Sequence, residues 1–236
     1  MDKNHLEKIR EYEKTYHDNL YFSKELWEKW SWLYRPIESI INMVDNFESK
    51  KISVLDIGCG VGRHSIPIAQ KIQDSKGIVV WVDVLESALI KFWENKKLFW
   101  IREESLSFEK ADIENFGIEK EQFDYIFSVS CIEHVSSIQS FCKVIEKIAE
   151  WTKKWWINYI IMSVDNELFD EAENKHTAPM VEVNLTLEEA KKILYSYYWN
   201  WETIECSVKP WQSIQTHTKT NLIQRWNSLR FASKKI

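Results

Sequence analysis

Between residues 52 and 164 the chain alternates short β-rich runs with helix-forming stretches. The runs are "ISVLDIG" (52–58), "GIVVWVDV" (77–84), "SLSFEKADI" (105–113), "FDYIFSVS" (123–130) and "INYIIMSV" (157–164). Between them lie "GRHSIPIAQKI", "LESALIKFWENKKLF" and "SFCKVIEKIAEWT", whose apolar residues recur at helical spacing. Short continuous apolar strands joined through helices are the pattern of a parallel sheet covered on both faces. The expectation is therefore an α/β chain with a doubly wound, mostly parallel sheet.

The flanks follow different patterns. Residues 3–50 read as helical and aromatic-rich, with Pro36 suited to the first turn of a helix carrying Ile37, Ile40, Ile41 and Val44. Past residue 164, "DNELFDEAENKHTAPMVEVN" reads as a long irregular insert. Thr186 with Glu189 forms a capping box that opens the helix "LEEAKKILYSYY". "WETIECSVK" and "SLRFASKK" alternate like an antiparallel strand pair, which brings the expected sheet to seven strands. The expected organisation is an N-terminal helical lid (1–50) on one domain (51–236).

Composition narrows the function. The net charge of −5, with no long run of one sign, disfavours nucleic-acid binding. The polar N-terminus does not resemble a secretory signal, and no apolar stretch is long enough to span a membrane. Cys59, Cys131, Cys142 and Cys206 are scattered, so neither a disulfide framework nor a metal site is expected, and a reducing cytoplasm is the default. The oligomeric state is not legible.

Three of the five glycines, Gly58, Gly60 and Gly62, fall in "VLDIGCGVGRHS", between a strand and a helix. Such a turn lets backbone N–H groups approach a ligand at a helix N-terminus. Dinucleotides and S-adenosylmethionine (SAM) both use it. The spacing G-x-G-x-G, with Arg63 in the sixth position, departs from the dinucleotide fingerprint G-x-G-x-x-G. Asp56, just before the first glycine, would repel a diphosphate and attract a sulfonium and an ammonium. Asp83, some 25 residues after Gly58, ends the second strand, where an acid can accept from both ribose hydroxyls. Asp112 ends the third, where it can accept from an adenine amino group.

"VLDIGCGVGRHS", "VVWVDVLESAL", "ADIENF" and "FDYIFSVSCIEHV" resemble, in order and spacing, the motifs of class I SAM-dependent methyltransferases, which have a Rossmann-like fold. The resemblance covers residues 52–164. It implies that Asp56, Gly58, Cys59 and Gly60 line the methionine part of SAM, with Gly62 completing the loop. It further implies that Asp83 and Val84 hold the ribose, Asp112 and Ile113 flank the adenine, and Ser128 and Val129 face the methionine end. "TKKWWINYIIMSVDN", "YYWNWETIEC" and "SLRFASKK" look loosely like parts of tellurite-resistance-type methyltransferases. The implied activity is methyl transfer to a small-molecule acceptor. A SAM-binding protein without catalysis and an NAD(P)-dependent oxidoreductase are the alternatives.

Glu133 and His134, just past the fourth strand, are the candidate bases, set against a purely structural role. Tyr16, His17 and Tyr21 belong to the expected lid and read individually as packing; His176, in the insert, reads as a solvated loop residue.

Glycine is scarce and tryptophan abundant, 5 against 13. The family pattern expects glycine at Trp81 and a glycine turn at Trp155 and Trp156; "YYWNW" (197–201) also falls in a turn. Two readings are open: an aromatic-rich protein, or a gene whose UGA codons specify glycine.

Overall fold

The computed structural model describes residues 3–215 and 221–236 of the chain. Its centre is a sheet with strands β1 (Ser53–Ile57), β2 (Ile78–Asp83), β3 (Leu106–Lys110), β4 (Phe123–Val129), β5 (Thr152–Asp170), β7 (Trp201–Gln215) and β8 (Leu222–Lys235). The order is β3-β2-β1-β4-β5-β8-β7, and a short β6 (Lys175–Thr177) pairs with β5. β3 to β5 run parallel, whereas β8 and β7 are antiparallel additions. The doubly wound expectation is met, with eight strands where seven were expected.

Helices α1 (Lys3–Ser23), α2 (Glu38–Met43), α3 (Ser65–Ile72), α4 (Glu86–Leu98), α5 (Ile138–Trp151) and α6 (Leu187–Tyr197) flank the sheet. One apolar layer joins Leu55, Ile126 and Ile160 to Phe141 and Ile145 of α5 and Leu194 of α6. The other joins Val54, Val79 and Tyr125 to Ile40 of α2 and Ile66 and Ala69 of α3. With both faces covered, β1 and β4 are almost wholly buried, in keeping with their mostly apolar sequences. Strand order reverses between β1 and β4. The crevice outside their carboxyl ends is thus the place where such sheets bind ligands.

Three expectations change. Among the described residues of the first 50, α1, α2 and a 3-10 turn at Val44–Asn46 are helical; residues 24–37 form turns and bends, and Pro36 lies just before the N-cap, Ile37, rather than within the helix. The insert is not wholly irregular: β5 continues to Asp170 and forms a hairpin with β6. The last two strands are longer than read, because β8 pairs with the extended β5 from Ile157 to Asp170. The Thr186–Glu189 capping box forms as expected.

Four tryptophans adopt left-handed backbone: Trp27 (φ 67°), Trp30 (66°), Trp100 (57°) and Trp155 (75°). Trp100 follows the C-cap of α4, with its N–H on the Lys97 carbonyl (3.3 Å) and the Ile101 N–H on the Lys96 carbonyl (3.0 Å). This is a Schellman motif, whose left-handed residue is ordinarily glycine. Trp155 sits where the β4–β5 register shifts. Trp81, Trp156, Trp199 and Trp201 are not left-handed, so at those positions the glycine expectation finds no support in backbone conformation.

Candidate functional site

The turn after β1 is built by its glycines. Gly58 (φ 72°), Gly60 (53°) and Gly62 (84°) are all left-handed, a conformation other residues adopt only with strain. Each also lies against a side chain. A Cβ on Gly58 would lie 2.4 Å from Cys131 Cβ, one on Gly60 2.5 Å from the Tyr21 hydroxyl, and one on Gly62 2.0 Å from the Trp81 indole. Trp81 is fully buried against Phe92, so its bulk makes glycine obligatory at position 62.

Asp83 ties the second strand to this turn. One carboxylate oxygen accepts from the Gly60 N–H (2.8 Å) and the other from the Leu85 N–H (2.9 Å). Burial raises its pKa, and those two backbone donors oppose the rise. Asp56 is buried beneath the turn and accepts from the Ser65 hydroxyl. Burial lifts its carboxyl to about 7, aided by the Asp83 charge and opposed by the Ser65 hydrogen bond. Asp56 is therefore close to half-protonated at neutral pH, and a cation nearby would draw it into the ionised form.

The Cys131 thiol reveals how these acids are grouped. Burial and then the charges of Asp83, Glu133, Asp56 and Asp112 hold it well above the usual thiol range. The three strand-end aspartates and Glu133 thus act on one point above Gly58. Cys131 lies inside a quoted motif, but as a single cysteine it carried no signal of its own.

The remaining expected positions divide. Cys59 is buried, its N–H directed at the Val82 carbonyl (3.2 Å). Ser128 is buried at the end of β4 with no partner for its hydroxyl among the described residues, and Val129 is half-buried beside it. Val84 is exposed immediately after Asp83, and Ile113 belongs to the core. Asp112 caps its own turn, accepting from the Glu114 N–H (2.9 Å).

Helix α1 lies across this edge. Its Asp18 accepts from the Ser87 hydroxyl at the start of α4 (2.6 Å), and its Arg10 reaches Glu114 (3.4 Å) and Glu182 (4.0 Å). Three residues past Asp18, Tyr21 is buried over Gly60, within an aromatic group that includes His17 and Trp32. Arg63 stacks on Trp32 and donates to its carbonyl (2.5 Å). Burial lowers the Arg63 guanidinium to about 10, against the pull of Asp56 and Tyr21. Tyr21, read from sequence as ordinary packing, proves to be packed directly on the glycine turn.

At the other end of the crevice, Glu133 is wholly buried. Its Oε1 accepts from the Ser163 N–H (2.8 Å), while Oε2 has no hydrogen-bond partner among the described residues. Burial raises its pKa, opposed by the His134 charge and the Ser163 N–H. His134 places Nδ1 2.8 Å from Glu182 Oε2. Burial alone would lower the imidazole, but the Glu182 hydrogen bond and the charges of Glu133, Glu13 and Glu182 raise it to about 9. Glu182 was not foreseen. It comes from the insert, 48 residues from His134, and is brought back by the Val183 N–H on the Glu133 carbonyl (3.0 Å). His176 stands exposed on β6, its ring against Phe169.

Among the described residues no group of three His, Cys, Asp or Glu could hold a metal ion, and no helix is long and apolar enough to cross a membrane. Known proteins bear on this geometry in two ways. Norajmaline N-methyltransferase of Rauvolfia serpentina is 29% identical over 109 residues, 46% of this chain and 36% of that enzyme. N-methyltransferase 4 of Papaver somniferum is 32% identical over 107 residues, 43% of this chain and 27% of that one. The chain thus spans about a third of the length of these curated relatives. Among solved structures, TehB from Haemophilus influenzae superposes with a TM-score of 0.61 at 20% identity, covering 85% of this chain and 63% of TehB. Magnesium protoporphyrin IX methyltransferase from Synechocystis, solved with bound SAM, gives 0.52 at 15% identity, covering 84% and 77%. At these identities the superpositions establish the fold. A family model described as a methyltransferase domain matches residues 48–220, most of the chain and all of the crevice motifs, and this chain therefore belongs to that methyltransferase family.

Proposed function

We propose that the chain transfers a methyl group from SAM to a small-molecule acceptor. The observation that carries this reading is the glycine turn held by Asp83 above buried Asp56, a cradle that accepts close backbone contact and favours positive charge. When bound, SAM supplies an already activated methyl group. The chain's own work is then to position the acceptor in line and to handle its proton. Asp56 faces the cationic end, Asp83 the ribose, and Asp112 and Ile113 the adenine side. Helix α1 serves as the lid, with Tyr21 withdrawing from Gly60 as the ligand enters. The net charge of −5 speaks against a nucleic-acid acceptor, and four free thiols suit a reducing cytoplasm.

Titration calorimetry tests this directly. SAM is expected to bind and NAD not to bind. Affinity for SAM should rise as pH increases through about 7, because Asp56 ionises there; for the neutral thioether product S-adenosylhomocysteine the rise should be smaller. Binding of NAD in preference to SAM would favour the oxidoreductase reading. SAM binding without turnover to S-adenosylhomocysteine over a broad acceptor panel would favour a non-catalytic SAM-binding protein.

His134 works as a base in this scheme only after losing its proton, and Glu182 opposes that loss. Glu182→Gln removes the main cause of the elevation, so the His134 pKa should fall from about 9 towards its ordinary ~6.5. The surrounding Glu133, Glu13 and Arg10 remain. NMR titration of the His134 ring protons reads the shift. An unchanged midpoint would show that Glu182 does not set this group. Because the folded pKa is raised, the pair's contribution to stability is fully present below ~6.5 and is lost as pH passes about 9.

A further inference from the structure

The acceptor end of the crevice is short of one positive charge. Three carboxylates converge there. Glu114 is held by Arg10 and by the Ser136 hydroxyl, and Glu182 by His134 with Arg10 at 4.0 Å. Glu133, the most buried of the three, receives the Ser163 N–H on Oε1 and is also eased by the Ser163 hydroxyl, while its Oε2 has no hydrogen-bond partner of normal geometry among the described residues. Glu133 follows Cys131, which covers Gly58, by two residues, immediately precedes His134, and is tied to Ser163 of β5, so the orphan carboxylate lies at the carboxyl edge of the sheet and not in a remote part of the core. Glu13, the remaining acid near His134, is itself paired with His17 (3.3 Å). A buried carboxylate oxygen without a partner is costly, and a ligand that supplies a donor and a positive charge removes that cost.

We propose that the acceptor is a primary or secondary amine, which enters as its ammonium ion and donates to the free oxygen of Glu133. This rests on the methyl-transfer reading and names the acceptor class of that same site. The ammonium passes one proton to Glu133, which becomes the neutral acid that its burial favours. The freed nitrogen lone pair forms the new N–C bond to the methyl carbon. As that bond forms the C–S bond breaks, its electron pair stays on sulfur, and the positive charge moves from sulfur to nitrogen. A carboxylate acceptor would add a fourth negative charge to the group, and an alcohol would leave the charge uncompensated.

Two matched probe sets test this on the full chain: ethylamine, ethanol and acetate, and benzylamine, benzyl alcohol and benzoate. Binding is read by saturation-transfer NMR with S-adenosylhomocysteine present, and turnover by S-adenosylhomocysteine formed from SAM. The amine of at least one set should bind and turn over at least ~10-fold better than its alcohol and carboxylate. Glu133→Gln keeps an acceptor for the Ser163 N–H but removes the charge. It should lose that preference by ~10-fold or more while retaining its affinity for S-adenosylhomocysteine. Preference for an alcohol or carboxylate, binding of no probe, or amine binding undiminished in Glu133→Gln would each overturn the proposal. Failure of SAM itself to bind is a separate result, and it removes the methyl-transfer reading together with the acceptor that depends on it.

Discussion

Asp83→Ala is expected to weaken SAM binding by about 100-fold or more. The carboxylate has two tasks, and alanine ends both. It anchors the Gly60 and Leu85 N–H groups at 2.8 and 2.9 Å, which sets the shape of the glycine turn. In the proposed complex it also accepts from the ribose hydroxyls. Hydrogen bonds to a charged group are worth roughly 1.5–3 kcal/mol each, so losing two reaches the 100-fold range. The variant leaves two N–H groups without their acceptor and will also melt earlier. Binding is therefore compared at a temperature where circular dichroism shows it folded. Asp83→Asn keeps one carbonyl oxygen for Gly60 or Leu85 and should fall between alanine and the parent. Calorimetry giving Asp83→Ala the parent's affinity would mean that the crevice is not where SAM rests.

The second large effect concerns stability. The triple variant Trp30→Gly, Trp100→Gly and Trp155→Gly is expected to be more stable than the parent, although glycine normally weakens a fold. Left-handed backbone costs a residue with a Cβ about 1–2 kcal/mol, and glycine escapes that cost. Against this stands the greater freedom of unfolded glycine, roughly 0.5–1 kcal/mol. Little burial is forfeited at Trp30, 98% exposed, and Trp100, 87%, and somewhat more at Trp155, 58%. The net gain of the three is about 2 kcal/mol, a rise in Tm of roughly 4–8 °C for a chain of this size. Trp93→Gly is the control. It lies within α4 with ordinary helical backbone, so the same replacement should lower stability by about 1 kcal/mol. A Tm for the triple variant at or below the parent's would refute the strain argument. The gene bears on the same point: UGA codons at positions 30, 100 and 155 would mean that a host decoding UGA as glycine already makes the relaxed chain.

The strand–helix alternation, the glycine turn and the acids at three strand ends were all legible in the sequence. Each depends on local chemistry. A buried parallel strand is mostly apolar, a left-handed turn favours glycine, and a strand-end acid needs only its own strand to place it. The glycine anomaly was also legible, but only Trp155 of the named positions proved left-handed. Trp27, Trp30 and Trp100 lie in turns whose handedness depends on how the chain re-enters the core. At Trp81 the expectation of glycine missed that a fully buried indole packs there and moves the demand for space to Gly62.

What the sequence determined by itself is the scaffold and the glycine-turn end of the crevice, because those rest on periodicity and on residues close together along the chain. The tertiary structure alone decided the surroundings of Glu133, His134 and helix α1. Glu182 meets His134 across 48 residues, Arg10 reaches Glu114 across 104, and Tyr21 comes to rest on Gly60 from a different helix. No spacing rule links such pairs. Their contacts exist only because the fold brings the sheet, α1 and the returning insert together, and because a buried charge is costly without a partner.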